Sequence, residues 1–259
     1  MTKEDTRMTA INGAPAAGGS VALVIGGTRG IGLAAARKLS AAGSEVLLNY
    51  AHDEDGALAA ERQLSEEGGK VRLMRADIGR PAGVVRLLED IRRTHGRLDV
   101  LVHAAGSFHP APTASPHIGK YLGDGAVAVG PLLYGAARLG TLMTPDTGRI
   151  VAVSSIGART VVPGYAGLGM AKAALETLVR YLAVELAGKG VAVNAVAAGK
   201  IADGGPVPAQ VLEGLLRRTP TGRLATAEEV ADVVALLCRP EAGGLHGQVL
   251  TVDGGACLR

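Results

Sequence analysis

The sequence has no tryptophan, only two cysteines and just 2% aromatic residues in 259. Two cysteines, Cys238 and Cys257, are too few for a disulfide framework, so the composition favours a reducing cytoplasm. The net charge of +3 is small, and no basic cluster is interleaved with aromatic residues. The composition therefore gives no indication of a nucleic-acid partner.

Long apolar runs are also missing. No segment approaches the roughly 18 uncharged apolar residues that a membrane-spanning helix needs, so we expect no membrane as a partner. Residues 1–19 carry charges of both signs and no apolar centre, unlike a signal peptide. We expect 1–19 to be a flexible leader and 20–259 to form a single domain.

Small and aliphatic residues are abundant, and apolar residues make up 47% of the chain. Short apolar strands alternate with helical segments from Val21 to the end, and we count seven strands. This alternation predicts a Rossmann-like, doubly wound, parallel seven-stranded sheet with helices on both faces. We expect a loop over 107–125 and a helix over 126–143. Ligands in such folds bind beyond the carboxyl ends of the strands.

A glycine-rich turn, GGTRGIG at 26–32, follows the first predicted strand and precedes a helix. Glycines at this point allow a pyrophosphate to approach the backbone N–H groups and the positive end of the helix dipole. A purely structural glycine turn is the alternative. The candidate cofactor-binding residues of this turn are Gly26, Thr28, Arg29, Gly30, Ile31 and Gly32.

The end of the second strand bears on the choice of dinucleotide. An NAD site usually places an acid there to bind the ribose, but this strand ends near Asn49, and the acids Asp53 and Glu54 come later. Arg29 is able to pair with a 2′-phosphate, which a carboxylate would repel. We therefore favour NADP(H) over NAD(H). The alternative for Arg29 is a solvated residue at a helix start.

A long helix is predicted over 165–186, and it begins at a tyrosine and a lysine seven residues apart, Tyr165 and Lys172. An i, i+7 pair returns to nearly the same helix face about 10 Å further along the axis, so both residues can line one pocket. Ser155 lies ten residues upstream of the tyrosine. Taken alone, such a pair is more often an ordinary tyrosine and a surface lysine on a core helix.

Together these motifs resemble the short-chain dehydrogenase/reductases. The resemblance rests on the glycine turn, on Asp77 after the third strand, on HAAG at 103–106 where NNAG is usual, on Ser155 with the Tyr/Lys helix, and on VDGG near the end. It covers about Ser20 to Gly255. The usual Y-x-x-x-K spacing is absent because Leu168 stands four residues before Lys172. Tyr165 instead gives the seven-residue spacing of the divergent enoyl-acyl-carrier-protein reductases.

The resemblance implies a role for each catalytic candidate. Lys172 is expected to hold the nicotinamide ribose, and Tyr165 to hydrogen-bond a thioester carbonyl and to supply or relay a proton. Ser155 is expected to orient the substrate or assist Tyr165, although it could simply end a strand. The resemblance also implies cofactor contacts from Asn49, Asp77, Ile78, His103, Ala104, Gly106, Gly199 and Ile201.

Several positions depart from the family pattern near the nicotinamide end. His103 and Ala104 replace an asparagine pair, and Ala126-Val127-Ala128 replaces a stretch that normally carries an asparagine. Gly199 follows alanine where proline is common, and a usual threonine is missing from 201–203. These changes do not alter the prediction that a cofactor binds, but they affect which reaction the site is expected to catalyse.

Other polar residues have less specific interpretations. His109 and His117 fit no compact metal site and are interpreted as loop residues, with pocket lining as the alternative. The segment 203–215 is the predicted substrate lid. Four basic residues are candidates for contact with a phosphopantetheine or carrier protein, or else solvated surface residues: Lys200, Arg217, Arg218 and Arg223.

The sequence thus predicts an NADPH-dependent reductase of an α,β-unsaturated thioester, small or carrier-bound, in fatty-acid or polyketide-type metabolism. The first alternative is a 3-ketoacyl or other carbonyl reductase that uses Tyr165 in an unusual register. The second is an NADP-binding scaffold protein with weak catalysis. The resemblance and the apolar surface of the Tyr/Lys helix also predict a homo-oligomer, specifically a tetramer.

Overall fold

A computed structural model of the chain describes residues 19–205 and 207–258. Almost all of the predicted leader, and Pro206 of the predicted lid, lie outside the described residues. Seven parallel strands form one sheet in the order β3-β2-β1-β4-β5-β6-β7. The strands are β1 Val21–Ile25, β2 Glu45–Tyr50, β3 Val71–Arg75, β4 Val100–His103, β5 Arg149–Ser155, β6 Ala192–Ala198 and β7 Val249–Val252.

Helices connect the strands and cover both faces of the sheet, which confirms the doubly wound fold. They are α1 Gly30–Ala41, α2 Glu54–Glu66, α3 Pro81–His95, α4 Ile118–Leu142, α5 Ala166–Ala187, α6 Ala209–Arg218 and α7 Ala227–Leu237. Short 3₁₀ helices occupy Ile156–Ala158, Pro240–Ala242 and Ala256–Leu258. No helix in the described part of the chain is long and apolar enough to cross a membrane.

Two apolar layers pack on opposite faces of the sheet. Alternate residues of β1 show the division: Leu23 and Ile25 face the layer formed with α3, α4 and α5, whereas Ala22 and Val24 face the layer formed with α1, α2 and α7. A central strand buried on both faces has to be apolar throughout, which explains why the strands read as continuous aliphatic runs.

The strand order reverses at β1, which pairs with β2 on one side and β4 on the other. In the ladder, Ile25 stands opposite Asn49 of β2 and His103 of β4. The connections from these strands therefore diverge at their carboxyl ends and leave a crevice there, the usual ligand position in this fold class.

The predicted start of α4 was wrong. The helix begins at Ile118, whereas the sequence predicted a loop up to residue 125. Gly119, Gly123 and Gly125 lower the helix propensity of this stretch, and tertiary packing overrides it. The ring of Tyr121 packs against Gly167 of α5, where any Cβ would collide with it. The Tyr121 hydroxyl also donates a hydrogen bond to the Ala111 carbonyl at 3.3 Å.

Candidate active site

The turn between β1 and α1 has the conformation that a phosphate-binding turn needs. Gly26 and Gly30 have φ of 74° and 53°, and a Cβ on Gly26 would lie 2.7 Å from the Ala105 backbone. The first turn of α1 contains no acidic residue, and no side chain caps its N-terminus. Its N–H groups and dipole are therefore available to an anion, so the turn fits the pyrophosphate of a dinucleotide.

Residues predicted to surround the adenosine end are held by the strands themselves. Asn49 is buried, and its Nδ2 donates to the carbonyls of Met74 and Ala76 at 3.0 and 3.1 Å, which ties β2 to the end of β3. Asp77 accepts from the Gly79 N–H at 3.0 Å and shapes the turn before α3. Ile78 is buried beside it. Cofactor contact by these residues remains a prediction.

Lys172 lies on α5, beside the end of β5. Its side chain is buried and Nζ donates to the Val153 carbonyl at 2.7 Å. Burial lowers the lysine pKa from 10.5 to about 8, because an ammonium is less stable away from water. At pH 7 the group is still mostly protonated. It can therefore donate hydrogen bonds to hydroxyl groups and favour negative charge nearby.

Tyr165 occupies the N-cap position of α5. Lys172, seven residues later, lies on nearly the same face of the helix. A Cβ on Gly157 would lie 2.6 Å from its ring, and the ring of Phe108 lies 5.1 Å away on another side. Burial raises the pKa of Tyr165; a hydrogen bond with Ser155 opposes this rise, and the charge of Asp124 adds to it. The phenol is thus protonated at neutral pH and suited to donating a hydrogen bond.

Ser155 ends β5 and faces the tyrosine. Its Oγ accepts from the Gly157 N–H at 3.2 Å, which starts the 3₁₀ turn that packs under the Tyr165 ring. Ser155, Tyr165 and Lys172 therefore meet at the carboxyl end of one strand, as the resemblance implied for a catalytic group. Their individual roles remain predictions.

His103 ends β4 and is fully buried. Its Nε2 lies 2.8 Å from the Ala128 carbonyl of α4, which can only accept, so the proton is on Nε2. Burial, and then the charge of Lys172, lower its pKa from 6.5 to about 3, against the opposing effect of the Ala128 bond. Nδ1 has no hydrogen-bond partner among the described residues.

The remaining predicted cofactor residues lie along the same edge of the sheet. A Cβ on Gly106 would be 4.0 Å from the Lys172 ammonium, so the turn after β4, with Ala104, passes close to it. Gly199 packs against Asp253 after β6, and Ile201 pairs with Ala225 in an isolated bridge. These residues thus follow β4 and β6 at the edge of the sheet that also holds Lys172.

Sequence reasoning missed a buried polar network behind Lys172. Glu176, one helical turn further along α5, accepts from the Ser154 hydroxyl at 2.7 Å and from Arg159 Nε at 2.9 Å. An acid on the buried face of an otherwise apolar helix is the signal that could have revealed it. The network fixes α5 against the end of β5, and so it fixes the position of Lys172 relative to that strand.

A second missed pair lies on the other side of Tyr165. Asp124 of α4 is fully buried, and Oδ1 lies 2.8 Å from Nδ1 of His109 in the connection between β4 and α4. His117, in contrast, is exposed at the start of α4 and its side chain makes no cap bond. Both histidines therefore lie in the connection before α4, as predicted, but of these two described residues only His109 hydrogen-bonds to a buried side chain.

A cavity of about 790 Å³ adjoins the predicted lid. Its lining is mostly apolar and includes Val207, Leu212, Leu216 and Leu224, with Asp203 and Arg223 among its polar residues. Arg223 pairs with Glu229 at 2.6 Å on the surface, which agrees with the solvated alternative for this residue. In the described part of the chain, no three histidine, cysteine or acidic residues are grouped to hold a metal ion.

Sheet order, glycine turn and the Ser/Tyr/Lys group define a short-chain dehydrogenase/reductase, an NAD(P)-dependent oxidoreductase. Residues 25–257 match the family described as enoyl-(acyl carrier protein) reductase. The chain belongs to this family.

Three relatives show the range of related activities. The chain is 38% identical to the 1-cyclohexenylcarbonyl-CoA reductase of Streptomyces collinus, over 71% of this chain and 68% of that protein. It is 31% identical to the NADH enoyl-(acyl-carrier-protein) reductase FabI of Enterococcus faecalis, over 72% and 77%. It is 32% identical to the 3-oxoacyl-(acyl-carrier-protein) reductase FabG of Haemophilus influenzae, over 93% and 99%. A dehydrogenase/reductase structure from Sinorhizobium meliloti has a TM-score of 0.85 at 32% identity, over 92% and 95%.

The buried His103 predicts a specific acid sensitivity. Its folded pKa of about 3 lies below the unfolded value of 6.5, so the unfolded chain binds one more proton between these pH values. Stability contributed by this group is present above pH 6.5 and is lost as pH falls towards 3, about 2 kcal/mol by pH 5. In His103→Asn, whose amide can still donate to Ala128, we expect the unfolding free energy to fall less between pH 7.5 and 5.

Urea unfolding at the two pH values measures this difference. His117→Asn, which replaces an exposed histidine, is the control and should retain the wild-type pH dependence. Equal acid losses in wild type and His103→Asn would contradict the assignment of His103 as a buried neutral group.

Proposed function

We propose that this protein is an NADPH-dependent reductase of the carbon–carbon double bond of an enoyl thioester. The observation that carries the proposal is the position of Tyr165 at the N-cap of α5, seven residues before the buried Lys172. Family membership supports the enoyl reaction, and one relative is named as a reductase of a cyclohexenylcarbonyl thioester.

The spacing suits this chemistry. In a ketone reduction, hydride adds to the carbonyl carbon and a proton to the adjacent oxygen. In an enoyl thioester, hydride adds to Cβ, whereas negative charge collects on the carbonyl oxygen two bonds further along. A hydrogen-bond donor placed seven residues from the ribose-binding lysine, instead of four, reaches further from the cofactor by about one helical turn. Tyr165 is therefore positioned for the more distant oxygen.

The chain's own groups would act as follows. The 26–32 turn would hold the pyrophosphate, and Lys172 the nicotinamide ribose. A bound dihydronicotinamide supplies the hydride. Tyr165 would donate its phenolic hydrogen bond to the thioester oxygen as charge develops there, and the nearby ammonium of Lys172 would favour that charge. Ser155, bonded to the phenol, would keep it oriented. The proton for Cα would come from Tyr165 or through it from solvent.

The apolar cavity beside the lid supports an acyl substrate. Leucine and valine side chains dominate a space large enough for a small acyl chain. We propose that residues 203–215 close over the acyl group. Whether a coenzyme or a protein carries that group is then decided by contacts outside the cavity.

A keto reduction is the alternative, and one observation favours it. The FabG relative aligns over nearly the whole of both chains, whereas the enoyl-reductase relatives align over about seven tenths of this one. The third possibility, a scaffold that binds cofactor without turnover, is separated from both enzymes by the same assay.

The deciding experiment compares a short trans-2-enoyl thioester with the matching 3-ketoacyl thioester in NADPH oxidation by the purified protein. We expect turnover of the enoyl substrate. In Tyr165→Phe, kcat should fall about 100-fold or more because the donor to the oxyanion is lost, while NADPH binding by fluorescence is unchanged. Turnover of the ketoacyl substrate alone would refute the enoyl assignment, and binding without any turnover would favour the scaffold.

The cofactor preference has its own test. Arg29 is exposed at the N-cap of α1, and the structure gives it no ion pair among the described residues, so its guanidinium is available to a 2′-phosphate. We expect Arg29→Ala to lower kcat/KM for NADPH by roughly 10- to 100-fold and to leave that for NADH nearly unchanged. The FabI relative is an NADH enzyme by its name. An equal loss with both cofactors, or a wild-type preference for NADH, would contradict our proposal.

We further propose a homotetramer, assembled through the outer faces of α4 and α5. Apolar side chains there are exposed in the single chain, including Leu122 at 70%, Tyr181 at 63% and Val184 at 78%. Contact with further copies of the chain would remove these apolar side chains from water, which favours association. Light scattering at micromolar concentration should give a tetramer for wild type and for Leu236→Glu on α7, but a smaller species for Val184→Glu. A monomeric wild type would contradict the assembly.

A further inference from the structure

A buried carboxylate on α5 takes no part in the mechanism proposed above. Glu176 is 4% exposed and lies one helical turn after Lys172. Its two oxygens have different partners: Oε1 accepts from the Ser154 hydroxyl at 2.7 Å, and Oε2 accepts from Arg159 Nε at 2.9 Å. A carboxylate removed from water needs hydrogen-bond donors on both oxygens. Here the two donors come from opposite ends of one short turn, residues 155–158.

The 155–158 turn contains two of the groups that surround the tyrosine. Ser155 begins the turn, hydrogen-bonds the Tyr165 phenol, and accepts from the Gly157 N–H at 3.2 Å. Gly157 lies against the tyrosine ring, because a Cβ there would be 2.6 Å from it. The turn is closed by Arg159, whose N–H donates to the Ile156 carbonyl at 2.9 Å. The conformation of this turn therefore decides where the serine hydroxyl and the ring surface lie.

The turn also packs on the first turn of α5. A Cβ on Gly169 would lie 2.7 Å from the carbonyl oxygen of Gly157. This close contact joins two glycines, which have no side chains to hold the turn in one position on the helix. The two hydrogen bonds of Glu176 supply that attachment, one at each end of the turn.

We propose that Glu176 is a positioning residue that holds the 155–158 turn against α5. Through both ends of the turn, it places the Ser155 hydroxyl at the phenol of Tyr165 and fixes the surface on which the tyrosine ring lies. One helix then carries the tyrosine and the lysine of the site and also the attachment of its serine, so the three side chains keep one relative geometry. The inference rests on the role of Tyr165 in the proposed function.

The attachment is tested first without substrate, by amide hydrogen exchange in the full chain. The N–H groups of Gly157 and Arg159 are bonded within the turn and report its opening. We expect Glu176→Leu, which removes both bonds and keeps a side chain of similar length, to speed exchange at these two amides about tenfold. Unchanged exchange there, or an equal acceleration in β1, would overturn the proposal, because the latter reports a loss of global stability.

A kinetic measurement then separates positioning from packing. With the thioester that the wild type reduces, we expect Glu176→Leu to lower kcat about 10- to 100-fold, because the donor is no longer held at the reacting oxygen. NADPH affinity, measured by fluorescence, should change less than about threefold, because the 26–32 turn would supply most of it. Ser154→Ala and Arg159→Met each remove one attachment and should lower kcat less. Equal losses in kcat and NADPH affinity would indicate a structural role and contradict the inference.

Two control variants sharpen the test. In Glu176→Gln, the amide oxygen can accept from Arg159 while the amide N–H donates to the Ser154 hydroxyl, so both attachments are retained. This variant should stay within about threefold of wild type in kcat and in exchange; a loss as large as in Glu176→Leu would overturn the proposal. Glu185→Leu, on the exposed face of the same helix, should change neither quantity.

Failure of the proposed function would look different. A wild type that reduces neither thioester would reject that function, whereas amide exchange in the 155–158 turn would still decide whether Glu176 holds the turn.

Discussion

Burial of the Lys172 ammonium is the constraint on which the rest of the site depends. Its pKa of about 8, against 10.5 in water, means that keeping the charged form buried at pH 7 costs the folded chain about 3 kcal/mol. Between pH 8 and 10.5 the unfolded chain holds this proton more often than the folded chain, so the group's contribution to stability rises with pH. The surrounding structure has to offset this cost at neutral pH.

One hydrogen bond to the buried ammonium helps to do so. The carbonyl of Val153 accepts it from Lys172 Nζ at 2.7 Å, because α5 packs on β5. One turn further, Ser154 and Arg159 satisfy the buried Glu176. Close packing of α5 on its neighbours requires glycine where rings approach, at Gly157 under Tyr165 and at Gly167 under Tyr121. The Tyr165 ring is thus positioned by a contact with Gly157 that a larger residue at position 157 would prevent.

The sequence was informative wherever residues that are close together in the chain determine the structure. Aliphatic runs predicted the seven strands, the glycine turn indicated a candidate phosphate site, and the spacing of Tyr165 and Lys172 identified the helix that carries them. It was not informative where residues distant in the chain decide the outcome. The start of α4 depends on Tyr121 packing against Gly167, and the pairing of His109 with Asp124 spans 15 residues and a turn of helix that propensity alone did not predict. Contacts of this kind leave no periodic signal.

One departure from the family pattern, His103, is explained by its hydrogen bond and by the charge of Lys172. An asparagine at position 103 would supply an N–H donor; His103 supplies the same donor from Nε2 to the Ala128 carbonyl, so the link between β4 and α4 is retained without a side-chain amide. A protonated histidine there would place a second buried cation near Lys172. The lysine charge is itself one cause of the low pKa of His103, which keeps the ring neutral. Two neighbouring basic groups can be buried because only one of them is charged.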